Sequence, residues 1–197
     1  LSPSSLIIVN TRKAARKLYK KISGKKYHLS TYMTALDRAI VLKNIRKELK
    51  CLEKEFPDFK NVPEKRRITI VSTSLIEAGV DLDVYTVFRE LKGVDNILQA
   101  GGRCNREGKR ESSDVFVFEL LDSKKKAISV EMDITRDLLQ KYDDISDYAC
   151  IEEYYERIFS LKADSISQNT MHCMCDDFRY IPFKEYAKNF ELIDSRT

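Results

Sequence analysis

Residues 6–9 (LIIV) form a short, unbroken apolar run that gives way at once to Asn10, Thr11 and a stretch with Ala15, Leu18 and Ile22 at i, i+3 and i+7. An unbroken run of that length suits a strand buried on both faces, and the spacing after it is the core stripe of an amphipathic helix. Strand, polar turn and helix make one βα unit, and a chain that repeats the unit is steered toward a parallel sheet. It does repeat: Tyr27, His28 and Leu29 read as a second strand, and Leu42, Ile45, Leu49 and Leu52 as the buried stripe of a second helix ended before Pro57. Further apolar strands are read at 68–71, 84–88 and 115–120. The predicted fold is α/β, a predominantly parallel sheet flanked by helices and followed by a helical C-terminal segment.

Local signals refine this outline. Asn10 and Thr11 lie where a strand's carboxyl end meets a helix N-terminus; they serve as a cap or as ligand contacts, since open α/β sheets bind ligands at that edge. Gly24 suits the end of the first helix. Thr34 and Asp37 have the spacing of a capping box, and so do Ser74 and Glu77, with Gly79 able to end that single turn. Residues 53–67, charged and punctuated by proline, read as a surface loop.

A length of 197 residues allows one domain with an extension, here 1–124 and 125–197. No apolar run approaches the roughly 20 residues of a membrane span. Five cysteines without a paired framework point to a reduced, cytoplasmic setting. The opening at Leu1 suggests a fragment of a longer protein. Charge is unevenly spread: residues 1–36 hold eight Lys/Arg and no acidic residue, leaving 27 basic against 31 acidic residues, net −4, in the remaining 161. A basic lobe suits a polyanion, although a solvated lysine face accounts for it equally well.

The chemistry concentrates in residues 71–106. After the apolar strand come Thr73, Glu77, Gly79, Asp81 and Asp83 (VSTSLIEAGVDLD), and after the next strand comes VDNILQAGGRCNR. Asp81 and Asp83 are costly beside a sheet end unless each has a cation, a hydroxyl or a backbone N–H as partner. Asp95 can cap the following helix, along which Gln99, Arg103 and Arg106 would share one face. Gly101 and Gly102 cost on the order of 1 kcal/mol each in a helix, which suggests a close approach to it.

In this order the two stretches resemble motifs V and VI of the superfamily 2 helicases. The longer run VSTSLIEAGVDLDVYTVFREL is similar to that of the CRISPR-associated helicase-nuclease of type I interference systems. IIVNTRKAARKLY and HLSTYMTALDR resemble the same family's motif IV region, and residues 181–194 a later stretch. The resemblance implies the second of two RecA-like domains, with ATP bound between them. It implies that Asn10, Thr11, Ser30, Thr31 and Thr73 contact a single nucleic-acid strand, DNA in that family. Glu77, Gly79 and Asp81 would face the nucleotide, Arg103 and Arg106 would reach its terminal phosphates, one as arginine finger, and Gln99 would help position the attacking water or the phosphate. Ala100 and Asp37 depart from the family, which commonly has Arg and His there.

Neither a GxxxxGK[ST] loop nor a DExH box occurs, so ATP and its Mg²⁺ are expected to be held mainly by an N-terminal RecA-like domain on another segment, and the fragment alone is expected to be inactive. Further partners implied by the resemblance are that domain and a CRISPR RNA-guided targeting complex, with no membrane. No metal site is predicted here; His172, Cys173 and Cys175 lack further ligands at zinc spacing. Residues 131–162 carry helical periodicity at Ile134, Leu138, Tyr142, Tyr154 and Ile158 and read as structural helices. The alternatives are another superfamily 2 branch and a non-catalytic single-strand-binding module.

Overall fold

A computed structural model of the chain describes residues 2–57, 61–76, 80–120 and 129–174, with side chains to 161. Five strands, β1 (Ser4–Ile8), β2 (Lys25–Leu29), β3 (Ile68–Ser72), β4 (Thr86–Glu90) and β5 (Asp114–Phe118), form one sheet. Their order is β2-β3-β1-β4-β5 and every pairing is parallel, as the repeated βα units require. Helices α1 (Arg12–Lys21), α2 (Ala35–Glu55) and α3 (Val94–Gly101) connect successive strands, and α4 (Val130–Lys141) and α5 (Tyr148–Met174) follow.

Helix boundaries follow local chemistry. Thr11 caps α1 by accepting a hydrogen bond from the Ala14 N–H at 3.2 Å. At the other end the Lys26 ammonium donates to the carbonyls of Tyr19 and Ile22, satisfying acceptors the helix leaves open. Gly24 then takes φ +79°, a conformation open to glycine, to reach β2. Thr34 caps α2, accepting from Asp37 N–H, but its hydroxyl donates to the Asp37 carboxylate: the shorter Asp side chain turns to the hydroxyl instead of completing the box. Asp95 lies in the first turn of α3, whose cap is Gly93.

The core forms where the sheet meets the helices. Leu6, Ile8, Ile70, Ile45 and Leu52 are fully buried in one cluster, with Leu42 and Leu49 against it. Each such side chain contributes about 1.5–3 kcal/mol of burial free energy. Val62, inside the stretch expected as surface loop, also enters this cluster. The edge strand β5 is largely exposed, with Phe116 stacked on Phe88 at 5.2 Å.

The chain divides into two compact units, Leu1–Asp137 and Leu138–Thr197. In the first, Arg136 donates to both carboxylate oxygens of Glu119 and to Asp133. In the second, Glu153 joins Lys141, Tyr142 and Arg157, and Leu138, Tyr154 and Ile158 are buried. Among the described residues no helix is long and apolar enough to cross a membrane.

Candidate nucleotide and nucleic-acid sites

A parallel sheet has two chemically different ends, and the structure assigns the sequence-predicted residues to both. At the carboxyl end, Leu29, Ser72 and Ile8 are paired in register across β2, β3 and β1. The residues that follow them, Ser30, Thr73 and Val9, therefore stand at one level, about 4.8 Å apart from strand to strand. Thr73 is nearly buried and its N–H donates to the Leu29 carbonyl at 3.4 Å. The Ser30 hydroxyl is fully buried without a hydrogen-bond partner among the described residues, and Thr31 is exposed.

Asn10 shares this end but is committed to the fold. Its amide donates to the Leu91 carbonyl at 2.9 Å, its side-chain oxygen accepts from Arg89 at 2.7 Å, and its N–H donates to the Glu90 carboxylate at 2.6 Å. Arg89 is fully buried and Glu90 nearly so. This ionic cluster was not anticipated from sequence. The signal was present in the charged pair closing an apolar strand (VFRE), which is affordable only with partners.

The arginines lie at the other end. Glycine loses more backbone freedom in a helix than other residues, and α3 ends at Gly101 with Gly102 as its cap. The chain then bridges back to β4: Val84 N–H donates to the Arg103 carbonyl at 2.9 Å and Asn105 N–H to the Val84 carbonyl at 3.3 Å, with Asn105 at φ +52°. Arg103 and Arg106 therefore sit in a turn, not on a helical face with Gln99, which is exposed in the last turn of α3. A Cβ at Gly101 would meet only Val115, at an ordinary 3.7 Å, so no close approach explains that glycine. The turn lies beside the amino ends of the strands, where Tyr85 N–H donates to the Ser4 hydroxyl at 2.9 Å.

Both aspartates have the partners their cost demanded. Asp83 accepts from the N–H groups of Arg106 and Glu107 at 3.2 and 3.4 Å and from the Arg110 guanidinium at 2.6 Å. Arg110 also donates to the Val84 carbonyl and the Ser113 hydroxyl and lies over the Tyr85 ring. Asp81 pairs with Arg106 at 3.2 Å, while its carbonyl accepts from Arg46 of α2 at 3.0 Å. Burial and then the neighbouring Arg106 charge pull the Arg103 guanidinium below its ordinary value, with Asp81 opposing them. Arg103, Arg106 and Asp81 thus share one electrostatic environment. Glu77 and Gly79 lie outside the described residues. Among the described residues no group of three or more His, Cys, Asp or Glu side chains could hold a metal ion.

The loop that leaves β3 begins with Thr73 at the carboxyl end and delivers Asp81 and Asp83 to the arginine turn. One connection therefore touches both sites.

Comparison with known proteins identifies the family. A family model described as CRISPR-associated nuclease/helicase Cas3, C-terminal, matches residues 2–109. The CRISPR-associated nuclease/helicase Cas3 of Haloferax volcanii is 30% identical over 139 residues, covering 55% of this chain and 14% of the relative. That of Methanothermobacter thermautotrophicus is 30% identical over 112 residues, covering 53% of this chain and 14% of the relative. The chain thus spans a small part of the curated relatives it matches. In fold it resembles the crystal structure of T. fusca Cas3-AMPPNP, at a TM-score of 0.60 and 15% identity, over 86% of this chain and 22% of that one. With more than half of its length matched by the family model, the chain belongs to the C-terminal family of the CRISPR-associated nuclease/helicase Cas3.

Proposed function

We propose that this chain is the C-terminal motor half of an ATP-dependent helicase that moves along single-stranded DNA in CRISPR interference. The observation that carries the reading is the turn after Gly102, which holds both Arg103 and Arg106 and is met by Asp81, paired with Arg106 at 3.2 Å. Two guanidiniums supplied by one turn suit a multiply charged anion such as the terminal phosphates of ATP. Asp83 is held by two backbone N–H groups and Arg110, and the sequence has neither phosphate loop nor acidic box, so Mg²⁺ is assigned to a partner RecA-like domain. The relatives bearing the Cas3 name and a structural neighbour titled as a CRISPR RNA-guided surveillance complex support the same setting, including a targeting complex as partner.

ATP supplies the phosphoanhydride bond whose hydrolysis drives movement. Arg103 and Arg106 stabilise the negative charge that develops on the transferred group, work for which a planar, permanently charged guanidinium is suited. Gln99 orients the attacking water. At the other sheet end, Thr11, Thr31 and Thr73 hold the strand through their hydroxyls and backbone.

Arg106→Ala and Arg103→Ala are expected to lower nucleic-acid-stimulated ATP turnover of the full-length protein by about 10³-fold or more while leaving nucleotide binding in place. Unchanged turnover in both variants would sink the motor assignment.

A further inference from the structure

The carboxyl end of the sheet carries one feature that the assigned residues do not use. Arg12, the first residue of α1, lies over the ring of Tyr32, with its guanidinium carbon 4.2 Å from the ring centroid. Tyr32 follows β2 and Arg12 follows β1, and β3 runs between those strands, so the pair spans the end of the sheet at which Thr73 stands. Tyr32 is nevertheless 75% exposed. One face of the ring is covered by the guanidinium, so that exposure belongs to the opposite face and the edge. Leu36 and Ile40, one helical turn apart at the start of α2, are exposed as well.

An exposed aromatic ring backed by a cation, on a lobe whose first 36 residues hold eight basic and no acidic side chains, selects among partners. The charge suits a polyanion, and the open ring suits a flat apolar surface that covers it. A duplex offers the first without the second, because its bases are stacked inside. A single strand offers both: phosphates for Arg12 and the α1 lysines, and an unstacked base for the ring. We infer that Tyr32, steadied by Arg12, is a base-stacking platform for the single strand. The inference rests on the reading of the carboxyl end as the strand-binding face and adds to it a contact with a base where the other residues offer contacts to the backbone.

The ring lies on the surface, so substituting it leaves the core intact; thermal unfolding checks this. The full-length protein is titrated with a thymidine oligodeoxynucleotide and with an abasic strand of the same length. Tyr32→Ala is expected to weaken binding to the thymidine strand about tenfold, to leave abasic binding nearly unchanged, and to keep the salt dependence. Tyr32→Phe keeps wild-type affinity, and Arg12→Gln lowers the slope of log K against log salt by about one. Equal losses on both strands would show that the pair acts on phosphates alone and overturn stacking. Unchanged affinity of Tyr32→Ala overturns the inference while leaving the strand-binding face in place. A loss confined to binding of poly-glutamate overturns it in favour of an acidic protein partner. Failure of the wild type to bind either strand removes both readings, independently of the Arg106 turnover test.

Discussion

The two ends of this sheet are built differently. At the amino end, the arginine turn is tied at every step: Asp83 holds two backbone N–H groups and Arg110, Asn105 exchanges hydrogen bonds with the Arg110 backbone, and Lys109 reaches Glu53 of α2. At the carboxyl end, Asn10 is locked to buried Arg89 and Glu90, but Thr31 and Tyr32 stand exposed. The difference fits the two tasks proposed for them. A group that stabilises a developing charge works only if its position is fixed in advance, whereas a groove that lets a strand slide must hold each nucleotide loosely.

The strongest way to break the contrast is to untie the turn. The Arg110 and Asp83 side chains are only 12% and 17% exposed and pair at 2.6 Å, so removing Arg110 leaves a nearly buried carboxylate with two backbone N–H donors and no opposite charge beside it. Arg110→Ala is expected to cost about 3 kcal/mol, a fall of about 6–12 °C in the thermal midpoint of the chain. Arg110→Lys recovers only part of it, since an ammonium cannot serve Asp83, Val84 and Ser113 with a planar fork. A midpoint within 2 °C of wild type, read by circular dichroism, would show that the backbone holds the turn without the ion pair.

That tie was half legible in the sequence. Two carboxylates at 81 and 83 demanded partners, and the structure supplies them, but nothing in the spacing identified Arg110, because its contact with Asp83 depends on the chain reversing after Gly102. The i, i+4, i+7 rule carried Arg103 and Arg106 onto a helix that the two glycines had already ended. The parallel sheet was readable because apolar runs alternated with helical stripes, each repeated unit restating the same geometry. Which end of the sheet a residue occupies was not readable for residues 80–110, since their loops run the full height of the domain. Tyr32 looked like any loop tyrosine until Arg12 was seen to lie over it.

A smaller effect separates the two aspartates. Asp81 is 77% exposed and Arg106 41%, so their pair at 3.2 Å is screened by water and salt. Asp81→Asn is expected to cost no more than about 1 kcal/mol, so that the thermal midpoint moves by less than about 4 °C. Asp83→Asn, which weakens the buried pair, lowers it well beyond that. Equal shifts in the two variants, measured side by side in dilute buffer, would erase the distinction between a structural and an accessible carboxylate.

The smallest expected effect belongs to the carboxyl half of the comparison. His28 lies on β2 beneath α1, 5.5 Å from the Tyr19 ring, and its imidazole is held below its ordinary value by burial first and by the Arg16 charge second. The folded state therefore resists protonation more than the unfolded chain, whose imidazole titrates near 6.5. Stability from this site is complete above that value and is lost as pH falls through the lower folded value, because the unfolded chain then binds the extra proton. Wild type should thus lose thermal stability between about pH 7.5 and 5 relative to His28→Leu, whose own profile lacks this component. Acid should therefore loosen α1 and β2, seen as faster amide exchange there at pH 5 than at neutral pH. Parallel pH profiles for wild type and His28→Leu would instead mean that the proton reaches His28 without cost, and that the carboxyl half is as plastic at neutral pH as in acid.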